Sequence, residues 1–543
     1  MAIETAPSGT LSSGQTLKRT LIGVGIVLGI ALVALVVAAL TLSGASLSGD
    51  PTALAKVSVQ PLGGSIQHVE AFGPDGRTVA LSVHDDLLTP LHKLRPGERV
   101  TVNVTVHRPG WLGWALGKTS VEHLTVTAPV AHVTNRWMTV PGGHPVTVTF
   151  DQPVTAVRYG SGSGLPGHTD PSGRTVSLGV RSATGTILVA AAARSWETVG
   201  APAHVSWFPP SSSPVLATSP AAGTDIGPAT PLYLTFSQPV SQALGSSGPR
   251  LSPATSGHWI GINSHTLEFR PSGYGVPLGS TLHVNLPRPV AVTSSSGGGL
   301  HKTSQVSWTV PPGSILRLHQ LLAQAGYLPL DWHSTGPEVA HTPEAEVQAA
   351  AQPPAGSFSW RYPNTPHQLV EKWNPDQATI ITRGAVMKFE NENGLTVDGE
   401  PGAAVWRKLI SDAIAGKRLS EGYSYVYVHR EVPETATLWS AGRTVITSPA
   451  NTGISGAETE LGSFAVFEHI PEGTMSGTNP DGSHYNDPGI KWISYFNGGD
   501  ALHNFDRSSF GTPQSLGCVE LPLAASAEIW KYTPIGTLVT IET

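Results

Sequence analysis

The chain has 543 residues, 32 Lys and Arg against 38 Asp and Glu, a formal net charge of −6 and a single cysteine, Cys518. That length makes room for several domains, each with its own core, and the missing basic excess excludes a nucleic-acid binder, which needs cations to neutralise phosphates. Only 13% of residues are charged while Gly and Pro number 60 and 46, a composition of β-modules joined by turns, and a lone cysteine cannot staple its own chain.

Residues 21–42 carry no charge and are built from Leu, Ile, Val, Ala, Gly and Thr. As a helix they are long enough to cross a hydrocarbon core of roughly 30 Å, so a transmembrane anchor is expected there. Lys18 and Arg19 precede it, which places residues 1–20 in the cytoplasm and everything after about 45 outside. The expected location is therefore the cell membrane, single-pass, with the bulk of the chain outside the cytoplasm. A cleaved signal peptide ending near Ser43-Gly44-Ala45 is the alternative, although the apolar run exceeds a signal's usual core. In an oxidising space a thiol kept for chemistry is safest with no second cysteine in its chain.

An internal repeat follows. Pro145-Val146-Thr147-Val148-Thr149-Phe150-Asp151-Gln152-Pro153-Val154 returns as Pro231-Leu232-Tyr233-Leu234-Thr235-Phe236-Ser237-Gln238-Pro239-Val240, each alternating before a Pro turn as a half-buried strand does. His204-Val205-Ser206-Trp207 and Gln305-Val306-Ser307-Trp308 each run into a Pro-Pro pair, and Val100-Thr101-Val102-Asn103-Val104-Thr105-Val106 implies a further module. Three β-sandwiches are expected, over 51–130, 131–210 and 212–312, and they resemble bacterial Ig-like domains. Such modules serve as spacers or as wall-binding elements.

After Pro312 the period turns helical, with Ile315, Leu316, Leu318, Leu321 and Leu322 on one face. Farther on, Gly384-Ala385-Val386-Met387-Lys388-Phe389 and Asn393-Gly394-Leu395-Thr396-Val397-Asp398-Gly399 precede a last apolar helix around Val405-Trp406. Residues 313–418 resemble the small helical peptidoglycan-binding domain, interrupted by a Pro, Ala and His rich insertion over about 331–376.

Strand alternation returns at Tyr423-Ser424-Tyr425-Val426-Tyr427-Val428 and Thr444-Val445-Ile446-Thr447. Cys518 lies in Gln514-Ser515-Leu516-Gly517-Cys518-Val519-Glu520-Leu521, fifteen positions after His503. A histidine can take the thiol proton, and a glycine before the cysteine lets backbone N–H groups close on an oxyanion. With Asn451-Thr452-Gly453 and Glu458-Thr459-Glu460-Leu461-Gly462-Ser463-Phe464, these residues resemble the signature of the YkuD-type L,D-transpeptidases over 419–543. The departures are Leu516 for the family's usual His, Glu520 for its Arg or Asn, and Glu460 for its Pro.

The fold class expected overall is multidomain and mainly β: N-terminal transmembrane helix, Ig-like sandwiches, a small helical domain and a β-rich catalytic head. The resemblance implies a membrane-anchored cysteine acyltransferase that cross-links peptidoglycan. Cys518 would attack the stem tetrapeptide and His503, orienting through the Asn504 backbone carbonyl, would serve as base and acid. A paired imidazolium would lower the thiol pKa, and the Gly517 N–H would help bind the oxyanion. Ser515, Trp492, Tyr495 and Phe496 are candidates for substrate contact, while Asp500 and Asp506 read as surface turns. Partners implied are peptidoglycan stems and glycan, the membrane through one helix, and carbapenem-type inhibitors. No cofactor is implied, and no metal, since His84 and His469 belong to no ligand cluster. An L,D-carboxypeptidase using the same thiol and a degenerate wall-binding scaffold are the alternatives.

Overall fold

Period-two alternation of apolar and polar residues builds most of this chain into antiparallel strands, and helices enter in number only between residues 315 and 414. The computed structural model describes residues 13–161, 164–182, 184–293 and 299–543, without the side chains of 13–25 and of 115–116. The chain divides into two units, Met1–Pro210 and Ser211–Thr543.

The first unit opens with a helix, Ser13–Leu42. Among the described residues no helix is long and apolar enough to cross a membrane, which corrects the anchor expected over 21–42. Residues 1–12 of the expected cytoplasmic tail lie outside the described residues. Two β cores follow. The first holds Leu54, Val57, Leu88, Val100, Val102 and Val104, and begins earlier than expected, because strand Ala45–Ser48 pairs with Ala55–Val59. The second is centred on Val146, Val148, Phe150, Val157 and Trp207. Both repeat segments are strands, Pro145–Thr149 in this unit and Leu232–Phe236 in the other.

In the second unit a four-stranded and a three-stranded sheet precede the helices Ile315–Gln324, Ile380–Glu392 and Ala403–Ile414. The insertion adds a hairpin, Leu330–Ser334 with Gly356–Trp360, and a helix, Pro343–Ala351, that buries Val347 and Ala350. Gly394 and Gly399 have positive φ in the turn between the last two helices, and Glu390 Oε2 accepts from Asp398 N (3.1 Å) and Gly399 N (2.9 Å).

The C-terminal part is two packed sheets. One runs Arg443–Pro449, Thr435–Ser440, Ser424–His429, Leu538–Glu542 and Gly462–Ala465; the other runs Glu468–Thr478, His484–Asn497, Asp500–Asn504 and Val519–Leu521. Val426, Val428, Leu438, Phe496, Leu502, Val519, Leu521, Val539 and Ile541 share one core. Helix Leu523–Trp530 adds Ile529 to it.

Candidate active site

Strand register sets the site. Asp500–Asn504 and Val519–Leu521 run parallel, with Leu502 opposite Val519 and His503 opposite Glu520. Because successive side chains alternate faces, Leu502, Val519 and Leu521 point into the core. Ala501, His503, Cys518 and Glu520 therefore share the opposite face, where Ala501 and Cys518 join a small apolar cluster with Ile490, Ile493, Tyr495 and Phe505.

Parallel neighbours need a crossover, and here a loop over 505–518 replaces the usual helix. Polar side chains hold it. Asn451 Oδ1 accepts from Gly511 N (3.0 Å), and Asn451 Nδ2 donates to Ser509 O (3.3 Å). Thr452 O accepts from Gln514 N and Ser515 N, while fully buried Glu434 accepts from Thr452 N (2.7 Å) and Thr452 Oγ1 (2.6 Å). The Ser515 hydroxyl donates to Cys518 O (2.6 Å) and accepts from Gly517 N (3.3 Å). Gly517 has φ +115°, and a Cβ there would overlap Asp500 Oδ1, so both backbone and packing require glycine. Glu520 is buried but paired: Arg507 reaches it twice, Nε to Oε2 at 2.8 Å and Nη2 to Oε1 at 2.6 Å, and also donates to Gln514 O.

His503 is 2% exposed, and its Nδ1 lies 2.9 Å from Asn504 O. A carbonyl only accepts, so Nδ1 carries the hydrogen and Nε2 keeps its lone pair. Burial lowers the imidazole pKa, outweighing the Asn504 carbonyl and the Glu520 charge, which raise it. Cys518 is half-buried, and burial pushes its thiol up to about 12; the Ala501 N–H opposes this, and the Asp500 and Glu520 charges add to it. The thiol also lies 3.6 Å from Gly499 O. Burial thus favours a neutral thiol and a neutral imidazole at rest, the reverse of the thiol-lowering imidazolium expected from sequence.

Of the expected substrate contacts, Tyr495 flanks the thiol, whose charge, after burial, raises the phenol pKa. The others do not face it. Phe496 is in the core between the sheets, Trp492 packs on Trp530 with centroids 5.1 Å apart, and Ser515 is 2% exposed with its hydroxyl used inside the loop. The Gly517 N–H is likewise turned to Ser515 Oγ. Sequence reading missed Tyr485, which also senses the thiol, along with Glu434 and Arg507. It also put Asp500 in a surface turn, whereas this residue is half-buried against Gly517 and Cys518. The unusual Glu520 was the available signal for Arg507, since a carboxylate beside a nucleophile calls for a cation.

No curated protein matches the chain. Among solved structures, an L,D-transpeptidase from Mycobacterium smegmatis is similar at 13% identity and a TM-score of 0.21, over 61% of this chain and 100% of its own. The catalytic domain of an Enterococcus faecium L,D-transpeptidase is 23% identical over 22% of this chain and 96% of its own, TM-score 0.21. L,D-transpeptidase 3 from Mycobacterium tuberculosis, in complex with a faropenem-derived adduct, is 11% identical over 61% of this chain and 98% of its own, TM-score 0.21. Residues 423–541 match the YkuD family, described as the L,D-transpeptidase catalytic domain. Those residues hold both strands of the site and the loop between them, and they form a YkuD-type L,D-transpeptidase catalytic domain.

Proposed function

We propose that this protein cross-links peptidoglycan outside the cytoplasm by acyl transfer through Cys518. The observation that carries the reading is the shared face of Cys518 and His503 on adjacent strands, with Nδ1 of His503 fixed on Asn504 O so that Nε2 is the free base. The Cys518 sulfur attacks the stem-peptide carbonyl before the terminal D-alanine while His503 Nε2 takes the thiol proton. The C–N bond then breaks, Nε2–H protonates the departing amine, and a thioester remains on Cys518. An amine of a second stem attacks the thioester, gives a proton to Nε2, and restores the thiol. With the Gly517 N–H directed to Ser515, the Cys518 N–H is the donor we assign to the oxyanion, a contribution of about 3 kcal/mol in comparable hydrolases. We assign the β-modules upstream to spacing and residues 313–418 to wall contact. The test is mass spectrometry of tetrapeptide stems incubated with the full chain. Cross-linked dimers that disappear in Cys518→Ala are expected; tripeptides alone would make the protein an L,D-carboxypeptidase, and unchanged stems would contradict catalysis.

A further inference from the structure

Asp500 is an acidic side chain beside the nucleophile that the mechanism leaves unused. It opens the strand that also carries His503, and its Oδ1 packs on the Cα of Gly517, directly before Cys518. The segment Gly499-Asp500-Ala501 wraps the sulfur, with Gly499 O 3.6 Å from Sγ and the Ala501 N–H directed at it. Among the described residues Asp500 makes no ion pair and no side-chain hydrogen bond. Glu520, the other carboxylate whose charge reaches the thiol, is by contrast neutralised by Arg507. A half-buried carboxylate without a cation is costly, and its place beside a nucleophile gives that cost a use.

We propose that Asp500 is a positioning residue whose carboxylate guards the Cys518 thiol, confining nucleophilic attack to the route in which His503 takes the proton. The groups around the thiol are Asp500, packed on Gly517 at the start of one strand, His503 farther along that strand, Glu520 from the next, and the phenols of Tyr485 and Tyr495 from the long hairpin. Facing Asp500 is Glu460, itself held by Asn497 Nδ2 at 2.9 Å. Burial first, and Glu460 second, raise the Asp500 carboxyl to about 6, so it is charged at neutral pH and loses its charge below. A charged Asp500 disfavours the thiolate, which is the form that soft electrophiles and oxidants attack. A carbonyl substrate seated beside His503 escapes this block, because the proton leaves as the S–C bond forms.

The inference rests on Cys518 being the nucleophile, and its test reads the thiol directly without turnover. Iodoacetamide labelling of Cys518 in the full chain is followed by intact mass from pH 5 to 9, in wild type, Asp500→Asn and Asp500→Ser. Either variant is expected to label about tenfold faster than wild type at pH 8, with the ratio falling towards one below pH 6 as Asp500 protonates in wild type. Equal rates at pH 8, or a ratio that does not change with pH, would overturn the guard while leaving the acyl-transfer reading intact. The serine variant carries the same expectation if the asparagine variant does not fold.

Discussion

In the proposed mechanism a thiol that burial pushes up to about 12 loses its proton during the attack itself, so Cys518 and His503 would act as one unit. Cys518→Ala should abolish turnover with the fold intact, since it removes one small side chain and the only thiol. In His503→Ala, turnover should also be lost, while iodoacetamide labelling of Cys518 survives at high pH. The sign follows from the raised thiol pKa: below it the thiolate fraction grows about tenfold per pH unit, so unaided labelling climbs with pH. Turnover at pH 7 that His503→Ala leaves unchanged would show that the imidazole does not activate the thiol. Glu520 gives a stability prediction. Arg507→Ala strands a buried carboxylate and should cost about 3 kcal/mol in urea unfolding, partly recovered by adding Glu520→Gln. The same loss in both variants would mean that the ion pair is not the cause.

The crossover loop is the element on which the proposed acyl transfer would depend, because it sets where Cys518 stands relative to the histidine strand. Asn451 holds it at Gly511, Thr512 and Ser509, contacts that pin geometry and add little to the core. Asn451→Ala should therefore lower turnover by about 100-fold with a small change in Tm, a displacement of about 1 Å being enough for such a loss. A loss of Tm matching the loss of turnover would make Asn451 a folding residue. How far the sequence discloses such an element depends on what each residue does. Cys518 and His503 are legible because their chemistry is in their side chains, and the strand at 424–428 is legible because it alternates. Glu434 is not, since its two bonds to Thr452 come from a partner eighteen residues away that no local pattern names. Phe496 and Trp492 looked like cleft residues because aromatic side chains read alike in a core and in a cleft. Asp500 reads as a turn after Gly498-Gly499, and only the pairing of its strand with Val519–Leu521 brings it against Gly517, beside the thiol.

Across the whole molecule, the chain is mainly β with an L,D-transpeptidase catalytic domain over residues 423–541, and the period-two pattern disclosed that β character. It failed at the N-terminus, where apolar composition over 21–42 suggested a membrane span that the described helix does not provide. It also failed in the insertion, where Pro and Ala richness concealed the helix Pro343–Ala351, because its Val347 and Ala350 gain an apolar face only by packing on the domain. A carbapenem interrogates the Cys518 thiol in the intact chain. Sulfur adds to the strained lactam carbonyl, the lactam C–N bond opens, and the ring nitrogen takes the proton. Intact-mass analysis of the full chain with imipenem should show one adduct in wild type and none in Cys518→Ala; no adduct on wild type, or one that persists without Cys518, would contradict acyl transfer through this residue.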